Sequence, residues 1–150
     1  KQAIGHAVVA LFFEEVDRRI EAGLDNSVSA ETRVRFVITE AVMHTVRELR
    51  QAPKIVELSE MICETEEGLA VVGVHLHRGH ERLTALIAQG AAAGEFRVRD
   101  AAKAARAVQM STKFFHIPFA IAQHGLDQIE QDLALTLDLL CAGLRNGDGI

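Results

Sequence analysis

Apolar residues recur along the chain at three- and four-residue intervals, the spacing that gives an α-helix one apolar face. In residues 1–24 the stripe is Val8, Phe12, Val16 and Ile20, flanked by Gly5, Val9 and Phe13, with Glu14, Asp17, Arg18 and Glu21 on the polar side. Ile4, Ala7 and Leu11 make a second, shorter stripe, open to two readings: covered by something outside this chain, or ordinary surface. Gly23 can supply a left-handed C-cap, and Ser27 or Ser29 can cap the second helix. That helix spans residues 30–49 with Val34, Ile38, Ala41, Val42, Thr45 and Leu49 on its main face. Phe36 and Met43 lie nearly opposite, so it is expected to be covered on more than one side. Pro53 separates it from a short amphipathic segment, 54–64, with Met61 and Ile62 as its inward residues.

A long helix is predicted over 66–93, with Leu69, Val72, Leu76, Leu83, Leu86, Ile87 and Gly90 on one face and His80 within the stripe. The turn Gly94-Glu95-Phe96 ends it, and Phe96 is expected to fold back into the core. Asp100 stands where an N-cap belongs. After it, Ala101, Ala105, Val108, Thr112, Phe115 and Phe119 share one face, and Met110, Phe114, Ile117 and Ile121 the other. Pro118 predicts a kink or stop near His116. Asp127 and Glu130 read as a capping box that opens a last helix to about residue 145. There Leu126, Ile129, Leu133, Leu137, Leu140 and Leu144 oppose Leu135, Leu139 and Ala142.

The pattern therefore predicts an all-α bundle of about six helices, one domain over residues 1–150. Its last two long helices each carry a spare apolar face, and two such helices can pair with their symmetry mates in a four-helix interface, giving a homodimer. Periodicity does not say which face turns outward. The one with Met110, Phe114, Ile117, Ile121, Leu135, Leu139 and Ala142 is taken as the interface, because Lys103, Arg106, Gln128 and Asp138 would rim it.

Composition narrows the setting. A chain of 150 residues, 49% of them hydrophobic, is long enough to bury a core without staples. Cys63 and Cys141 lack metal or redox spacing and read as small buried residues of a reducing compartment, so a cytoplasmic location is expected. A net charge of −5 argues against a duplex-binding surface, and neither a membrane span nor a signal peptide is visible. The chain starts at Lys1, already inside a helical pattern, and reads as a fragment.

No phosphate loop, nucleophile elbow or paired His/Cys arrangement is present, so no catalytic residue and no cofactor is assigned. His77 and His80, one turn apart, are two ligands where zinc needs three or four, and no metal site is assigned. Polar residues on otherwise apolar faces carry the binding hypothesis. His44 or His80 is the polar handle of a pocket expected among the first, second, fourth and fifth long segments, lined by Phe12, Val16, Val37, Met43, Leu76 and Phe115. A dimerisation module without a small-molecule effector is the alternative.

Three stretches carry a family resemblance. Lys1-Gln2-Ala3-Ile4 with Ala7-Val8 is similar to the start of the helix that follows the helix-turn-helix in the TetR family of bacterial transcriptional regulators. Leu86-Ile87, Gly90, Gly94-Glu95-Phe96, Asp100 and Ala104-Ala105 resemble a signature of that family's C-terminal domains. Phe114-Phe115-His116-Ile117-Pro118 and Leu137-Asp138-Leu139-Leu140-Cys141-Ala142-Gly143-Leu144 resemble the ending of one subfamily, with Ile117 intruding between His116 and Pro118. The resemblance implies a regulator, read here as a repressor, whose DNA-binding head precedes Lys1. Its helical domain would dimerise and bind a small effector that changes the spacing of the two heads.

Overall fold

The computed structural model describes residues 2–147, with side chains from Ile4 to Gly147; the expected start at Lys1 lies outside the described residues. It is built from α1 (Gln2–Gly23), α2 (Ala30–Gln51), α3 (Ile55–Cys63), α4 (Glu66–Ala92), α5 (Ala101–Ser111), a 3-10 turn (Lys113–His116), α6 (Pro118–His124) and α7 (Ile129–Asn146). The architecture is all-α, as expected. Several helix starts are set by side chains that satisfy free backbone N–H groups. Ser29 accepts from the N–H of Thr32, Thr65 from Gly68 and Asp100 from Lys103.

Helix α2 is the shaft of the bundle. It packs on α1, α4, α6, α7 and the 3-10 turn. Val34, Val37, Ile38, Val42 and Val46 along it are all buried, joined by Ile20 of α1, Leu86 and Ile87 of α4, Ala105 and Val108 of α5, and Ile129, Leu133 and Leu137 of α7. Burying each Val, Leu or Ile contributes about 1.5–3 kcal/mol, so this cluster dominates stability. At the end of α4, Gly94 adopts the left-handed conformation with φ 78°. The N–H groups of Glu95 and Phe96 then both donate to the carbonyl of Gly90, which turns Phe96 into the core. Gly23, by contrast, has no positive φ; it leaves room for the ring of Phe36.

The break expected near His116 is present, and the largest departure from the expected faces follows from it. The expected long helix is three pieces, because the residue before a proline is held extended, and Ile117 has φ −101° and ψ 109°. Pro118, lacking an N–H, begins α6 at the position where that donor is not needed. The 3-10 turn advances about 120° per residue rather than about 100°, so the helical period is lost across it. Ile121, assigned by period to the outward face, is therefore fully buried, while Phe119, assigned inward, is exposed.

Other differences arise from partners distant in sequence. Asp127 pairs with Arg50 instead of capping, and α7 opens at Ile129 without a side-chain cap. Ile62 is buried but Met61 is exposed, and Cys141 is buried but Cys63 is exposed. Leu69 and Leu76 are exposed because α5, running along α4, is only 11 residues long. Near its end Gln109 donates to the carbonyl of Leu76 at 2.7 Å, so α5 reaches the edge of Leu76 and stops short of Leu69. Among the described residues no helix is long and apolar enough to cross a membrane.

Candidate functional site

The core is filled unevenly. Toward the α4–α5 turn the inward residues Leu83, Leu86, Ile87, Phe96 and Ala104 are all buried. At the other end no described hydrophobic of α1 before Val16 is fully buried, and none of α4 between Gly68 and Leu83. Inward side chains there, among them Val9, Phe12, Phe13, Ala41, Val72 and His75, remain half-buried. This end, between α1, α2, α4 and the 3-10 turn, is the looser one on its α1 and α4 walls, while Val42, Val46 and Leu49 of α2 and Phe115 stay buried there.

Imidazoles collect at that end. The ring of Phe12 meets His44 with centroids 4.9 Å apart, and Phe13 stacks on His75 at 4.0 Å with planes 9° from parallel. His116, from the 3-10 turn, lies close enough to His75 for a charge on one to disfavour a charge on the other. His44 is only 3% exposed, and its Nδ1 has no hydrogen-bond partner in the protein; the buried Nδ1 of His75 has none either. A buried polar atom without a partner carries a desolvation penalty of about 1–3 kcal/mol, which a ligand or water can remove.

The same burial keeps these rings neutral. Desolvation is the main cause lowering the pKa of His44 and of His75. Burial, and then the neighbouring His75, pushes His116 down to about 4. A neutral imidazole offers one donor and one acceptor, so the site can hydrogen-bond a polar group but presents no imidazolium charge. Most charges beside it are matched, although Glu48, whose charge favours the protonated form of His44, is in no ion pair among the described residues. Arg82 donates to the buried Asp17 at 3.0 Å, Arg78 lies 3.6 Å from the same carboxylate, and together they rivet α1 to α4. Around His44, Arg19 pairs with Glu15, and Arg47 with Glu40.

Of the expected pocket residues, Phe12 and His44 are together at the loose end, Phe115 points inward beside it, and Met43 is half-buried on α2. Val16 and Val37 are packed into the dense core instead. Leu76 and His80 line a different feature, a groove of about 320 Å³ shared with Gly73, His77, Arg106 and Gln109, because α4 turns that side toward α5. Phe13, His75 and His116 are members of the cluster that the sequence pattern did not assign. The signal that could have found one of them is that His75 continues the inward line of Val72, Gly79, Leu83 and Leu86 at helical spacing. Among the described residues no three His, Cys, Asp or Glu side chains converge as a metal would require.

The expected dimer residues divide similarly. Met110, Phe114, Ile117, Leu135 and Leu139 are exposed, Leu139 at 76%, and Ala142 is half-buried beside them. Phe114 packs edge-on to His124 at 5.5 Å, and His124 is bonded to Asp132, one turn before Leu135. That chain of contacts connects the 3-10 turn to α7 across α6. Ile121 lies beneath this surface, not on it.

Among curated proteins and among solved structures, no match to the chain is found. A family model does match: residues 30–135, from the start of α2 into the outward face of α7, fit the tetracyclin repressor-like C-terminal domain. That span holds the shaft helix, the turn at Gly94 and Phe96 and all three clustered histidines, and on this match the chain belongs to the tetracyclin repressor-like C-terminal domain family.

Proposed function

We propose that this domain is the effector-binding and homodimerising part of a transcriptional repressor that works in the cytoplasm, contacting DNA only through a helix-turn-helix outside these 150 residues. The effector is a small, largely apolar molecule bound at the loose end between α1, α2, α4 and the 3-10 turn. One observation carries the reading: His44 and His75 place unpartnered, buried Nδ1 atoms among phenylalanine rings, where polar groups without a binding role are normally satisfied. The exposed apolar face from Phe114 to Leu139 supports the dimer, since a contiguous patch of this kind is normally covered in solution.

A thermal-shift screen of apolar and aromatic metabolites tests the effector. A ligand that binds only the folded state, supplied at about 100 times its Kd, adds about 2.7 kcal/mol of stability. Hits should lose their effect in a His44→Phe variant that remains folded. Hits unaffected by that change, or a screen with none, would return the domain to the reading of a dimerisation module, which the dense packing of Val16 and Val37 favours.

A further inference from the structure

The site proposed above also has a chemical preference. We propose that it selects an uncharged ring compound bearing a hydroxyl group, with His75 as the partner of that hydroxyl. The inference rests on the effector reading and narrows it.

Three features of the site lead there. Phe12 and Phe13 offer apolar ring surface on adjacent positions of α1, each already in contact with an imidazole, so a flat ring can extend the same stack. The charged groups nearest His75 are engaged with one another, Asp17 with Arg82 and Arg78; beside His44, Arg19 pairs with Glu15 and Arg47 with Glu40, while Glu48 forms no ion pair among the described residues. A carboxylate or ammonium held against His75 would therefore enter a half-buried apolar site without a counter-charge, which is strongly disfavoured. The orphan Nδ1 atoms, by contrast, call for a neutral hydrogen-bonding group. A hydroxyl both donates and accepts, so it satisfies either tautomer of His75, whereas an ether only accepts and an ammonium only donates.

Burial acts in the same direction, because a site that resists protonation of its own histidines gains nothing from an anionic ligand. Asp17, Arg78 and Arg82 are the charged groups that bear on His75, with His116 facing it from the 3-10 turn.

Matched probes of one shape test this: para-cresol, para-xylene, para-toluate and para-methylbenzylammonium, each titrated into the 150-residue chain at neutral pH with thermal shift and calorimetry as readouts. We expect para-cresol to bind about tenfold more tightly than para-xylene, the effect of one hydrogen bond to an otherwise unpaired group, and both charged probes to bind more weakly than either. In His75→Phe, which keeps a flat ring against Phe13 but removes the nitrogens, the cresol-to-xylene ratio should fall to about one. If that variant does not fold, imidazole nitrogen shifts in the unaltered chain replace it. On adding para-cresol the His75 signal should move, and that of the exposed His77 should not. Tightest binding by toluate or the ammonium, a ratio that survives His75→Phe, or a response at His77 alone overturns the proposal and leaves an effector site standing. Silence from all four probes removes both.

Discussion

Phe96 fits against Gly90 so closely that a Cβ at position 90 would sit 2.3 Å from the ring's Cδ2 and 2.8 Å from the Cβ of Ala30. Real side chains do not approach so near, so the glycine is required for α4, the turn after it and the start of α2 to meet. Gly90→Ala should destabilise the domain by about 1–3 kcal/mol, the usual cost of overpacking a core. The midpoint of urea unfolding measures it, and an unchanged midpoint would mean that Phe96 does not occupy this notch.

Acid should weaken the fold. An unfolded histidine takes up a proton near 6.5, whereas folded His116 does so only at about 4. Between those values the unfolded chain holds more protons, so stability increases with pH and is lost as pH falls from about 6.5 to 4. For this group alone the loss is on the order of 2–3 kcal/mol, and His44 and His75 lean the same way. Unfolding curves collected across that range should show the slope, and His116→Phe should flatten it. A domain equally stable at both ends would contradict the burial assigned to His116.

Replacing Phe114 and Leu139 by glutamate should convert the proposed dimer to a monomer that stays helical. Both side chains are exposed in the single chain, so neither change disturbs its core. In a dimer two carboxylates would be buried without partners. Light scattering and circular dichroism together decide the matter. A double variant that remains dimeric, or that unfolds, would place the interface elsewhere.

The chain should leave duplex DNA unretarded in a mobility shift at physiological salt. A net charge of −5 gives no excess of cations to displace phosphate counterions. Sequence-specific retardation would show that these residues contribute a DNA contact of their own.

What could be read from the sequence was governed by distance along the chain. The caps at Ser29 and Asp100 and the return of Phe96 depend on residues within one or two turns, and they are present as expected. The helical period failed where the backbone left the α conformation. Between Lys113 and Pro118 the change of pitch exchanged the roles of Ile121 and Phe119. Leu69 and Leu76 were misplaced for another reason: a helix face is buried only as far as its neighbour extends, and the length of α5 is not written in α4. The residues of the candidate cluster were half legible. Phe12 and His44 could be paired from their stripes, but the meeting of Phe13, His75 and His116 draws on three separate elements and has no local signature.

Helix α2 touches both ends of the proposed function. It carries His44 at the loose end, and nearer its start Arg35 donates to Asp138 of α7 at 2.7 Å while Glu31 accepts from Arg145. If α2 forms one wall of the proposed ligand site and also steadies a helix of the proposed dimer, the two equilibria answer to each other. Such coupling is reciprocal by thermodynamic necessity. Whatever factor an effector lent to subunit association, association would lend back to the effector, so the apparent ligand affinity would become a function of protein concentration and dilution a regulatory variable.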